Sequence, residues 1–309
     1  MHLSASIDGY WLDKKREFAD TTYVTYSYTF SRLIDFLDDP PIASISSDDL
    51  RRFLDHLAKR HKLSKRSVHD NWVTLSSLWT WAEGELQIPH IIRGKINRPR
   101  FPAPLIEPLT QDEIKGLIKA SEFMEYTRKG RNHGKLTRAK RPTAARDKSI
   151  ILTLLDSGIR AQELCDLTIA DYDQKRGRLH VRHGKNDKQR FIFLGDRTRK
   201  SIWRYLAERP DCKPTDPLFS TKTNEPIERN NLRHMLKIIG GRAGVKRSHP
   251  HLFRHTFAIQ FLRNGGNLAT LQQILGHADI STVLVYVKLA ESDIEQAGRR
   301  CSPGDAWKL

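Results

Sequence analysis

His251-Leu252-Phe253-Arg254 is the stretch on which the fold turns. Ser248 and Pro250 precede it, and proline suits the first position of a helix, where its missing N–H is no loss. A spacing of three then sets His251 and Arg254 on one helical face. An imidazole and a guanidinium fork so placed can reach one phosphate together. Three further residues extend the set: Arg160, just after the break at Ser157-Gly158; His277, after Leu275-Gly276; and Tyr286, in an otherwise apolar run. Arg160 opens a new helix, and a helix N-terminus favours anions. Two arginines, two histidines and a phenol suffice to hold a phosphodiester and attack it without a metal. Taken singly, each has a plainer reading: Arg160 as a surface partner of Glu163, Tyr286 as core. His255 and His249 beside His251 raise a metal site, but no carboxylate or thiolate nearby completes a ligand set.

The rest of the chain says which phosphate. Its 309 residues carry a formal net charge of +17, with a pI near 9.9. So large a positive charge repels itself unless a polyanion neutralises it, and nucleic acid is the expected partner. A membrane is not expected: no apolar run approaches the ~20 residues of a bilayer span, and no segment reads as a basic amphipathic helix. With 29% charged residues and a mean hydropathy of −0.57, the chain reads as soluble. Met1 to Asp13 has no apolar signal-peptide stretch. Cys165, Cys212 and Cys301 are scattered, which fits a reducing cytoplasm better than a disulfide framework.

The length suits two domains. A helical domain is expected over 10–92, with helices read from Thr22 onward. Val24, Phe30, Leu33, Ile34 and Leu37 recur at helical spacing up to Pro40-Pro41. Ser46 or Ser47 caps a second helix, a third starts near Ser64, and Gly84 is its expected C-cap. The tryptophans here read as core rather than as base-stacking groups. Residues 93–108 form a linker with four prolines, and Arg93, Lys95, Arg98 and Arg100 make it a basic strap suited to a DNA backbone. The second domain, 109–291, opens with a capping-box pattern at Thr110 to Glu113. Tyr126 to Arg146 has eight Lys or Arg and no acid, Arg128, Lys129 and Arg131 among them. It reads as an extended, mobile basic loop that touches DNA or a partner, or else as a disordered insert. Helix resumes over Asp147 to Asp156. Leu179–Arg182 and Gln189–Leu194 read as a β-hairpin around a polar turn. The fold class is therefore mainly α with a small antiparallel β-sheet, α+β.

Three segments, Ser157-Gly-Ile-Arg-Ala-Gln-Glu-Leu164, His251-Leu-Phe-Arg-His-Thr-Phe-Ala258 and Leu275-Gly-His-Ala-Asp-Ile-Ser-Thr-Val-Leu-Val-Tyr286, closely resemble the three boxes of the tyrosine recombinases, the phage-integrase family. Gly184-Lys185-Asn-Asp-Lys188-Gln-Arg190 is similar to that family's hairpin lysine motif. The resemblance implies a helical, SAM-like core-binding domain, a catalytic domain, and a segment over 292–309 for protomer–protomer contact. It implies site-specific cutting and rejoining of double-stranded DNA through a 3′-phosphotyrosyl link, with neither metal nor ATP. Tyr286 would be the nucleophile, and His251 would assist its deprotonation. Arg160 and Arg254 would clamp the phosphate, and His277 would hydrogen-bond it. Lys185 would protonate the departing 5′ oxygen, and Glu163 would orient a catalytic side chain. Lys188 shares the turn, as a rival lysine or a DNA contact. The chain departs from the family at Thr282-Val283, often two threonines, and at Phe191-Ile192-Phe193, where a proline is common. A homotetramer on two DNA sites is implied, with a monomer or dimer when free, acting at the nucleoid. A type IB topoisomerase and a non-catalytic DNA binder are the competing readings.

Overall fold

The computed structural model describes residues 1–101, 107–127, 136–182, 189–276 and 286. The chain divides into two compact units, Met1–Pro104 and Leu105–Leu309.

Among the described residues, the first unit is a bundle of four α-helices. The first, α1 (Leu3–Lys14), lies largely ahead of the expected boundary at residue 10, and it buries Leu3, Ile7 and Tyr10. Its period is hard to read: Leu12 points outward at 87% exposure, Gly9 leaves a gap in the apolar pattern, and no side chain caps the start. Gly9 has a packing reason, since an added Cβ would meet the Trp81 ring at 3.1 Å. After it, α2 (Asp20–Leu37) buries Phe30 and Leu33 and ends at Asp38 in the left-handed region, just before Pro40. A capping box of Ser46 with Asp49 starts α3 (Ser47–Lys59), which buries Leu50, Phe53, Leu54 and Leu57. Ser64 caps α4 (Lys65–Glu85), whose Leu75, Leu78, Trp79 and Ala82 fill the centre. This helix runs through Gly84 and ends at Leu86, so Gly84 is not the cap. Ile92 and Ile96 join the same core, which anchors the start of the basic strap to this unit.

In the second unit Thr110 and Glu113 form the capping box of α5 (Gln111–Glu122). The region read as a basic loop is instead framed by paired strands. β1 (Phe123–Thr127) runs antiparallel to β2 (Leu136–Lys140), from Phe123 opposite Lys140 to Thr127 opposite Leu136. Arg138 lies over the Phe123 ring at 3.9 Å. Basic side chains do not forbid a strand when half of its surface stays in water, which composition alone hides. Arg128, Lys129 and Arg131 lie outside the described residues. Helix α6 (Ala144–Ser157) follows, then the short α7 (Ala161–Cys165). β3 (Tyr172–Asp173), β4 (Arg178–Val181) and β5 (Arg190–Phe193) form an antiparallel sheet in that order. The unit continues with α8 (Asp196–Ala207), α9 (Arg229–Arg242), α10 (Pro250–Arg263) and α11 (Leu268–Leu275). Ile150, Ile151 and Leu154 of α6 sit in one core with Leu179, Ile192, Leu232, Leu236 and Phe253. No helix among the described residues is long and apolar enough to cross a membrane.

Candidate active site

The site begins where α6 stops. Gly158 takes φ +58°, the left-handed cap that frees the chain to turn. Ile159 is buried, and Arg160 becomes the N-cap residue of α7. At the third position of that helix Glu163 folds back. Its Oε2 accepts the Arg160 backbone N–H at 2.9 Å, and its Oε1 accepts from Arg160 Nη1 at 2.8 Å. From β5, Arg190 donates twice more to the same carboxylate, Nη1 to Oε1 at 3.0 Å and Nη2 to Oε2 at 2.6 Å. Burial alone would push this carboxyl up. The Arg190 and Arg160 donors outweigh burial and hold it at about 2.

The two arginines differ in what they have left to offer. Arg190 also donates Nε to the Ile274 carbonyl at 2.7 Å, so its planar fork is occupied, and its side chain is 9% exposed. Arg160 is 28% exposed, and among the described residues its second terminal nitrogen makes one long bond, 3.3 Å, to the Gly276 carbonyl. Arg160 therefore keeps donors that can turn to a ligand, whereas Arg190 positions Glu163.

Helix α10 supplies the second wall. His249 is its N-cap, accepting the Leu252 N–H on Nδ1 at 3.2 Å, and Pro250 occupies the first turn. The expectation placed Ser248 at this boundary. A short imidazole acceptor serves the same purpose as a serine oxygen there. Arg254 is almost fully buried and donates to two carbonyls, Gly158 at 2.6 Å and Leu275 at 2.8 Å. Burial and the repulsion of Arg160 lower it from 12.5 to about 10, so it stays charged at neutral pH. The last carbonyls of α11, at Ile274 and Leu275, together with that of its C-cap Gly276, thus each take a different arginine. A helix C-terminus offers unpaired carbonyls and partial negative charge, which suits a cluster of cations.

Tyr286 closes the site. It is 3% exposed and packs with Ala258, Ile259, Leu271 and Leu275. Its phenol is raised by burial and lowered in part by Arg254 and Arg160, and the net movement is upward. The assistance expected from His251 is not where the hydrogen bond lies: His255 Nδ1 and the Tyr286 hydroxyl are 2.8 Å apart. His251 sits one turn earlier, with its ring 5.1 Å from that of His255 and its residue exposed at the rim. Crowding by neighbours and the charge of Arg254 lower the His251 pKa. Among the described residues no three His, Cys, Asp or Glu side chains are placed to hold a metal.

The structure therefore brings Arg160, Glu163, His251, Arg254 and Tyr286 into one neighbourhood and adds Arg190 and His255. Lys185, Lys188 and His277 lie outside the described residues, as does 292–309. Of the strap cations, Arg93 pairs with Glu83 at 3.1 Å and Arg98 donates to His69 at 2.7 Å, while Lys95 and Arg100 are exposed. Arg190 escaped the sequence reading because β5 inverts the usual pattern. Arg190 and Ile192 face inward, whereas Phe191 and Phe193 face out, Phe191 stacked on His180 and beneath Arg178. His255 did carry a signal, its place one helical turn after His251 on α10.

The model of the phage integrase family matches residues 108–293, and that of its N-terminal SAM-like domain matches 13–88. Tyrosine recombinase XerC of Lactobacillus delbrueckii subsp. bulgaricus is 28% identical over 91% of this chain and 92% of its own. Tyrosine recombinase XerA of Pyrococcus furiosus is 31% identical over 67% of this chain, which spans 66% of that protein. In fold the chain is similar to the Tn1549 transposon integrase solved with a circular intermediate DNA. The TM-score is 0.75, with 19% identity, 96% of this chain and 99% of the other covered. A basic two-unit chain that gathers two arginines, a histidine and a buried tyrosine from three separated segments, and that both family models match, belongs to the phage integrase family of tyrosine recombinases.

Proposed function

We propose that the chain binds a specific double-stranded DNA site and cuts and rejoins it through a 3′-phosphotyrosyl intermediate. Tyr286 is the nucleophile, and Arg160 and Arg254 bind the non-bridging oxygens of the scissile phosphate. His251, on the same face as Arg254, adds a donor from the rim, and His277 adds another. Lys185 protonates the departing 5′ oxygen, with Lys188 the rival for that role. Glu163 braces Arg160. The observation that supports this most is the position of Tyr286: its buried hydroxyl lies in the field of both Arg254 and Arg160. An anion drawn to those arginines is thereby drawn to the nucleophile. Fixed donors aimed at the charge that develops on phosphorus are each worth about 10²–10³ in rate.

Exchange of strands between two duplexes calls for four protomers, with 292–309 passing to a neighbour. Arg93, Lys95, Arg98, Arg100, Arg128, Lys129 and Arg131 follow the DNA backbone. Integration, excision and replicon resolution all use this chemistry, in the cytoplasm at the nucleoid. The test is covalent trapping. Footprinting on DNA flanking the gene locates a bound site, and a nicked duplex of that sequence serves as suicide substrate. The wild-type protein is expected to form a protein–DNA adduct without added metal, and Tyr286→Phe to form none. An adduct that survives in Tyr286→Phe rejects the nucleophile. Relaxation of a supercoiled plasmid lacking the site favours a topoisomerase instead.

A further inference from the structure

We propose that His255 is the proton acceptor for the Tyr286 hydroxyl in the cleavage step, an inference that rests on Tyr286 being the nucleophile. Among the described residues His255 is the one hydrogen-bond partner of that hydroxyl, Nδ1 to oxygen at 2.8 Å. A general base must lie within about 2.6–3.2 Å of the proton it takes, and His255 meets that before any DNA is bound. The rings are 5.5 Å apart, in contact but not stacked, and the tyrosine is buried, so bulk water does not compete for the phenol.

The imidazole must also be neutral. The groups bearing on it are His251, His249 and Arg254 on its own helix, and Tyr286 from the facing segment. Burial first, and these basic neighbours next, lower it to about 4. A neutral imidazole has one donor and one acceptor nitrogen, and with its proton on Nε2 the lone pair of Nδ1 faces the phenol. As the oxygen–phosphorus bond forms, the phenol O–H bond breaks and its proton passes to Nδ1. The bond from phosphorus to the 5′ oxygen breaks, and that oxygen takes its proton from the general acid proposed at Lys185. Religation reverses every transfer, and the imidazolium returns its proton to the released phenolate. The nearby Arg254 discourages that imidazolium from persisting, which favours the return.

Two measurements test this. The first uses the free wild-type protein with ¹⁵N-labelled histidine. At neutral pH the nuclear magnetic resonance signature of His255 is expected to be the Nε2–H tautomer with Nδ1 unprotonated. A proton on Nδ1 overturns the proposal whatever the DNA results are. The second compares adduct formation by wild type, His255→Asn and His251→Asn across pH 6–10 on a nicked duplex that the wild type cleaves. An asparagine oxygen can accept the phenol's hydrogen bond near the Nδ1 position but cannot take the proton. Cleavage by His255→Asn should fall about 10²–10⁴-fold at pH 7. It should then rise about tenfold per pH unit while the wild type stays level, because the variant must wait for the free phenolate. A pH-independent loss in His255→Asn, or the rising profile in His251→Asn instead, overturns the assignment. If the wild type makes no adduct, or Tyr286→Phe makes one, the proposed nucleophile fails instead.

Discussion

Replacing Glu163 with glutamine removes the charge that Arg160 and Arg190 share while keeping the side chain's size. The cost follows from the titration of the carboxyl, which sits at about 2 instead of 4.5. At 1.36 kcal/mol per pH unit, that difference stabilises the folded catalytic unit by ~3 kcal/mol at neutral pH. Breaking one side of a buried ion pair costs about 3–5 kcal/mol, which agrees. The carboxylate is 5% exposed, so solvent screens little of this. The sign is that of a depressed acid: the contribution is complete above the unfolded value near 4.5 and is lost as pH falls through about 2. Urea unfolding, read by hydrogen exchange in α7, β5 and α10, gives the stability of this unit from pH 7 down to pH 2. Glu163→Gln should be less stable than wild type by ~3 kcal/mol at pH 7, and the gap should close between about pH 5 and pH 2. An unchanged urea midpoint at pH 7, or a gap that stays constant down to pH 2, would refute the brace. The α3 and α4 amides of the helical unit serve as an internal control.

Other outcomes follow from single residues. Gly158→Ala should destabilise the catalytic unit by roughly 2 kcal/mol or more in urea titration. Its φ of +58° costs an L-residue about 1–2 kcal/mol, and the new Cβ would meet Phe257 and, at 2.8 Å, Leu275. Tyr10→Ala should cost the helical unit ~3 kcal/mol, by analogy with other buried aromatic truncations, since Tyr10 is fully buried and bonds Ser77 at 2.8 Å. Circular dichroism on urea titration reads it, and a neutral result would show that α1 is dispensable to the bundle. DNA affinity should fall about 10³–10⁵-fold between 50 and 200 mM salt, as for ~6–10 neutralised phosphates. Fluorescence anisotropy measures it, and a nearly flat salt dependence would contradict a backbone-tracking strap.

Local chemistry was readable from the chain, and long-range pairing was not. Ser46, Ser64 and Thr110 cap helices where a hydroxyl before an apolar run says they should. The spacing of His251 and Arg254 was enough to put them on one face of α10. Glu163 was recognised as a support, yet its main partner, Arg190, lies 27 residues on and on another element. No periodicity announces such a pair, and the outward phenylalanines beside it point the wrong way. The α1 helix hid for a different reason: three inward apolar residues in twelve, one of them an aromatic, are too sparse to set a period. The partnership of His255 with Tyr286 spans 31 residues and becomes visible only once α10 and the tyrosine segment are packed together.

The C-terminal end of α11 has a consequence for how this sequence can drift. One short run of carbonyls, Ile274 to Gly276, receives Arg190, Arg254 and Arg160, which arise from three distant parts of the chain. Backbone oxygens cannot be deleted by substitution, so the shared anchor persists through any side-chain change there. A displacement of the helix, however, moves all three cations at once. Mutations in α11 and in the three arginine-bearing segments should therefore be strongly non-additive, and a shift tolerated by one should require compensation in the others. The helix end acts as a common evolutionary constraint, tying segments with no sequence proximity into one inherited unit.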